Sequence, residues 1–166
     1  FANYWSLNAG GDADFVLYDQ RETRGNGIYA RPHAFQMSGE LSTDPRNEVV
    51  VKLSERIAWN ALEKRGYATS LGVNLKPLSW MEWTVESSYQ RIRNEEAWIL
   101  NNGPDAFFGD RNTDQYNMTL RGTVTFTREL TLQLYTQVFL AKGSYSNYRR
   151  LQGVAEFVPE PPSAEL

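Results

Sequence analysis

The chain has 166 residues, a net charge of −3, no cysteine and one histidine, His33. Disulfides, thiolate catalysis and cysteine-based zinc sites are excluded, and a lone histidine leaves no Ser-His-Asp triad or His-based metal site to expect. The charge balance offers no basic field for nucleic acid. The length suffices for one domain with a core. Mean hydropathy is −0.54 and no long apolar run exists, which excludes transmembrane helices. It does not exclude a membrane barrel, where only alternate residues meet lipid. Five Trp and nine Tyr fit either interfacial aromatic girdles or a sugar-stacking surface. The chain opens at Phe1 without a signal peptide, so a mature piece or a fragment of something longer is expected.

In chain order, residues 2–9 are aromatic-rich and read as a strand, and residues 10–26 as a polar, glycine-punctuated loop. Residues 27–41 alternate weakly, with Pro32 near a strand start, and residues 42–46 (STDPR) form a turn. Residues 47–60 set Val49, Val51, Leu53, Ile57 and Trp59 against Lys52, Ser54, Arg56 and Asn60. Residues 61–65 are a charged turn too short to sustain a helix. Residues 66–76 place Tyr67, Leu71, Val73 and Leu75 on one face, and residues 77–79 end that strand. Residues 80–93 set Met81, Trp83, Val85 and Tyr89 against Glu82, Thr84, Glu86 and Ser88, and residues 95–100 read as the next strand. A long loop is expected over 101–114, then a hairpin over 115–141 turning at Thr127, Arg128 and Glu129. Residues 142–147 read as a turn and 159–166 as a proline-rich tail beyond a domain spanning 1–158. The sum is about eight strands without a helix: an all-β, antiparallel up-and-down meander.

Each hairpin run is about 12 residues, roughly twice the usual soluble strand, and ~9–11 tilted residues cross a bilayer. A sandwich turns its apolar faces inward, whereas a membrane barrel turns them to lipid and keeps a wet lumen. Long strands, short turns alternating with long connections, and charges in mid-strand favour an outer-membrane-type β-barrel, either a complete small one or the last strands of a larger one. On that reading Leu120, Val124, Phe126, Leu132, Leu134, Val138 and Leu140 face lipid, and Lys52, Arg56, Glu82, Glu86, Arg121, Gln133 and Gln137 face the lumen.

Several segments in order carry a family likeness: YDQRETRG at 18–25, LSTDPR at 41–46, KPLSWMEW at 76–83 and Ser87-Ser88-Tyr89. Further matches are Leu120-Arg121 through Phe126-Thr127, LTLQLY at 130–135, Phe139 and GSYSNY at 143–148. Together they resemble the C-terminal part of the bacterial domain-of-unknown-function family 5916. The resemblance implies an outer-membrane β-barrel, often joined to an N-terminal domain like carbohydrate-binding family 9. It implies no established reaction. Neither that N-terminal domain nor the earlier barrel strands are present in these residues, so the last stretch of a larger barrel is expected.

The charges Asp19, Arg21, Glu22 and Arg24 suit a solvated loop with local ion pairs, or a loop folded into the lumen as a constriction. Glu82 and Glu86 lie roughly 13 Å apart at strand rise, too far for a glycosidase pair, so no catalytic residue is expected. Asp44, Asp105 and Asp110 read as turn formers. Trp5, Trp59, Trp80, Trp83 and Trp98 suit interfacial anchoring or packing more than sugar stacking, and Phe107-Phe108 is an exposed-looking apolar pair in the long loop. The expected function is therefore non-enzymatic, without metal or cofactor: an envelope barrel that binds or passes a solute. Its partners are outer-membrane lipid, carbohydrate as the cargo class the resemblance implies, and the remaining strands of a longer polypeptide or other chains. The alternatives are a soluble β-sandwich or barrel that binds carbohydrate, and a structural part of a larger envelope assembly supplying sheet edges to partners.

Overall fold

Period-two alternation runs through most of the chain, and a strand is the conformation that turns such a pattern into two distinct faces. The computed structural model describes residues 3–15, 17–153 and 156–160 and holds ten strands, with no helix among the described residues. They are β1 (Ser6–Asp14), β2 (Leu17–Asp19), β3 (Tyr29–Arg31), β4 (Ala34–Ser42), β5 (Val49–Asn60), β6 (Arg65–Leu78), β7 (Met81–Asn102), β8 (Asp105–Thr125), β9 (Thr131–Gln152) and β10 (Glu156–Pro159). Eight form one antiparallel sheet in the order β1-β4-β5-β6-β7-β8-β9-β10, and β2 pairs with β3 in a hairpin between β1 and β4. The fold is an all-β antiparallel meander. Its sheet is open: β1 and β10 stand at opposite edges.

Five segments depart from the sequence reading. The expected loop at 101–114 holds the end of β7, a two-residue turn at Gly103-Pro104, and the first half of β8. Gly103 supplies the positive φ of 57° that this turn uses. The run at 95–100 is no separate strand but the continuation of β7 past a register shift between Ile92 and Glu95, where Asn94 adopts a φ of 53°. A bulge inverts the apolar and polar positions, so a uniform period of two fails across it. Residues 142–147 turn-like in composition stay extended in β9, because Lys142 to Ser146 pair with Asp114 to Asp110. Residues 10–14 of the expected N-terminal loop complete β1, and 17–19 form β2. Pro159, assigned to the tail, pairs with Arg149 in β10. The rest of the tail, 161–166, lies outside the described residues.

The core is at one end of the sheet. β6 begins at Arg65, opposite Arg93, and β7, β8 and β9 run on past it. On this overhang sits the segment between β1 and β4. Tyr29, Ala106, Phe108 and Leu151 are buried together there, with Trp98 and Phe157 packed against them. The Phe108 ring lies 5.0 Å from Tyr29 and 5.2 Å from Phe157. Burial of a phenylalanine contributes about 1.5–3 kcal/mol. Phe107 and Phe108, expected to be exposed, are 5% and 0% accessible. Among the described residues every buried apolar side chain belongs to this overhang. The rest of the sheet is a single layer.

Candidate functional site: two faces and a cap

Register decides which side chains share a face. Following the ladder from β5 to β9, Leu53 faces Leu71, Val73 faces Val85, Val85 faces Leu120, Met118 faces Val138, and Val124 faces Leu132. Leu120, Val124, Leu132, Leu134, Val138 and Leu140 therefore lie on one continuous face with Met37, Leu53, Ile57 and Leu71. Phe126 stands just past β8 in the turn, its N–H bonded to the Leu130 carbonyl. Among the described residues nothing covers this face. Leu132 and Leu140 are 60% and 61% accessible. Trp83 lies flat over Gly122 of the next strand, filling the space where a Cβ would stand.

One carboxylate interrupts this face. Glu55 shares a row with Gly39 and Thr69, and its Oε1 accepts a 2.6 Å bond from the Thr69 hydroxyl.

Lys52, Arg56, Glu82, Glu86, Arg121, Gln133 and Gln137 all project from the opposite face. Lys52 Nζ pairs with Glu40 at 2.8 Å. Glu82 accepts from Asn74 at 2.7 Å and lies 3.6 Å from Lys76. Gln137 donates to Asn117 at 3.0 Å and accepts from the Tyr135 hydroxyl at 2.8 Å, and Arg121 lies over the Tyr135 ring. A concavity of about 730 Å³ rests against the sheet. It is bordered by the polar-face rows Glu40, Ser54, Ser70 and Ser88 and Ser38, Arg56, Ala68 and Gln90, together with Gly39, Glu55, Thr69 and Tyr89 of the row between them. Small side chains leave that room.

The segment carrying Asp19, Arg21, Glu22 and Arg24 is a folded cap. Asp19 Oδ1 accepts the backbone N–H groups of Arg21 at 2.7 Å and Glu22 at 3.2 Å. The Arg21 bond leads in holding this carboxyl below its ordinary value. Arg31 joins Asp19 at 2.8 Å and Glu22 at 2.9 Å. Thr23 is wholly buried, its Oγ1 2.7 Å from the Gly27 carbonyl. Arg24 stacks 4.0 Å over Trp98, Asn101 donates to the Thr23 carbonyl, and Asn26 to that of Gly103. The segment thus clamps the tip of the β7–β8 hairpin. Arg21 makes no ion pair among the described residues.

Beneath the cap is a charge cluster that composition did not disclose. Glu96, its side chain 3% accessible, lies 3.2 Å from Arg149, which also pairs with Asp110. Burial pushes the Glu96 carboxyl up. Burial, then the neighbouring Glu96 charge, pushes the Tyr29 phenol up too. Glu95 is bonded by Lys64 at 2.7 Å and by Arg111. Burial raises its pKa, but those two partners together outweigh burial and hold it low. A cavity of about 620 Å³ adjoins Glu22, Tyr29, Glu95, Glu96 and Trp98. The adjacent pair Glu95-Glu96 before a tryptophan was the sequence signal for it. Among the described residues no three His, Cys, Asp or Glu side chains gather as metal ligands.

The model of the family described as "Domain of unknown function (DUF5916)" matches residues 2–163. The chain belongs to this family. No curated protein and no solved structure matches it. The DUF5916 match takes in the sheet and the cap alike, so both are parts of the family's domain. The description carries no reaction, ligand or partner.

Proposed function

We propose that this DUF5916 chain forms a stretch of wall of an outer-membrane-type β-barrel, in the outer membrane of a Gram-negative-type bacterium. Its apolar face meets lipid and its polar face meets a water-filled lumen. It performs no chemistry of its own; it binds or passes a solute by shape and charge, carbohydrate being the class that family likeness suggests.

The observation that carries this reading is the bare apolar face set opposite a polar one. A sandwich or soluble barrel would bury the apolar side, yet among the described residues the only cover, the cap, sits on the overhang. The uncovered face has a membrane's dimensions. It is free of charged side chains from Met81 to Tyr89 on β7, Tyr116 to Val124 on β8 and Leu132 to Leu140 on β9. Such a span is about 27–30 Å along a strand, or roughly 20–25 Å of depth at a barrel's tilt. The overhanging ends of β7, β8 and β9 and the cap share one end, and the connections 43–48, 79–80 and 126–130 take the other, which suits an extracellular and a periplasmic side. The unpaired edges, along β1 and along β9 below the short stretch from Arg149 to Gln152 that β10 covers, call for further strands, because no sheet edge stands open in lipid.

The test is to refold the chain with and without detergent or lipid and follow it by circular dichroism. A cooperative β spectrum that needs detergent or lipid is the expected result. A cooperative β fold in plain buffer overturns the reading.

A further inference from the structure

The apolar face ends, on the cap side, in a row of cations. Arg65 opens β6 and stands directly opposite Arg93. One position down, Arg91 faces Asp114, and Asp114 faces Lys142. All share the face of Tyr67, Tyr89 and Leu140. Like charges set opposite each other across a ladder are destabilising, and here four cations meet one carboxylate. Arg93 takes both oxygens of Asp114, at 2.8 and 2.7 Å, while Arg91 stands 3.8 Å away. Arg65 donates to the Lys64 carbonyl, and neither it nor Lys142 forms an ion pair among the described residues. The other acids nearby are Glu63 in the preceding turn, Glu55 one row below on β5 and bonded by Thr69, and Asp110 further along β8, already held by Arg149 and Asn147. The stacked Phe35 and Trp59 rings lie level with Arg65. At the opposite end the turns are balanced, with Arg46 and Arg128 against Asp44, Glu48 and Glu129.

We infer that Arg65, Arg91 and Lys142 form a docking row for the phosphate headgroups of anionic lipids in the leaflet on the cap side, their acyl chains lying along the apolar face below. Charge complementarity selects this occupant: cations at the rim of an apolar, aromatic-edged surface match a molecule that is anionic at one end and hydrocarbon at the other. The inference rests on the membrane reading above.

The full chain is refolded into phosphatidylcholine vesicles containing a minority of phosphatidylglycerol, and the lipids it immobilises are read with spin-labelled versions of each. The native chain is expected to favour phosphatidylglycerol by about threefold or more, less as salt rises. The combined variant Arg65→Gln, Arg91→Gln, Lys142→Gln inserts but loses the preference, and Arg128→Gln at the opposite end keeps it. Insertion with no headgroup preference, or a preference unchanged in the triple variant or lost in Arg128→Gln, overturns the docking row and leaves the membrane reading standing. Failure to insert into either lipid overturns both.

Discussion

At the scale of single residues, three positions concentrate the physics of this molecule. Gly122 exists for Trp83: an added side chain would occupy the indole's place. Gly122→Leu is expected to displace the ring and destabilise the sheet by about 1–3 kcal/mol, the usual cost of overpacking, with a change in tryptophan emission as the check. Glu55 is the charge on the apolar face below the cation row. Glu55→Leu is expected to stabilise the lipid-embedded form by on the order of 1–2 kcal/mol, less than the figure for a basic residue at mid-bilayer, measured by denaturant titration in vesicles. Glu96 is an acid whose pKa burial raises from 4.5. The folded state then holds its proton more tightly than the unfolded one, so its contribution is fully present below about 4.5 and is lost as pH rises through the folded value. Asp19 and Glu95 run the other way, their contribution fading as pH falls through their lowered values. Amide-exchange protection in β2 and β3, corrected for intrinsic rates, is therefore expected to weaken as pH rises above about 4.5, and Glu96→Gln is expected to flatten that slope.

At the scale of elements, the chain divides its stabilisation between hydrogen-bonded ladders and one small core. β7, β8 and β9 are 22, 21 and 22 residues long, yet their buried apolar contacts lie in the overhang. Phe108 is the centre of that cluster, touching rings from β3 and β10. Phe108→Ala is expected to cost about 3–5 kcal/mol, as other phenylalanine truncations do in cores. The loss should appear as opening of 17–31 and of the β7–β8 tip in hydrogen exchange, with the lower ladders of β5 to β7 still protected. Equal deprotection of both regions would mean that cap and sheet fold as one unit.

For the whole molecule, the consequence of an open single layer is that its two faces answer differently to the same substitution. Leu134 pairs with Gly122 in the middle of the apolar face, and its sequence neighbour Gln133 pairs with Thr123 on the polar one. Leu134→Arg is expected to cost about 2–4 kcal/mol of stability in lipid if that face is immersed, and Gln133→Arg close to nothing, because the lumen hydrates it. Equal effects of the two changes would contradict the assignment of a lipid face and a wet face.

The sequence alone determined the strand character of the chain and the polarity of its faces, from Leu53 and Lys52 on β5 to Leu134 and Gln133 on β9. Alternation is a local property: adjacent side chains point to opposite sides whatever the distant partner is. It could not determine where the alternation slips. The bulges marked by Asn94 and Asn147 and the tight turn at Gly103 are composed of residues common in loops, and their extended neighbours are held in place only by pairing with distant strands. Tertiary structure alone therefore decided that Phe107 and Phe108 are buried, that the 17–31 segment is a cap over Glu96, Asp110 and Arg149, and that Arg65, Arg91 and Lys142 from three strands lie in adjacent rows of one face. Each of these depends on register between segments far apart in the chain, and register is set by the summed ladder and packing energies, not by any local pattern.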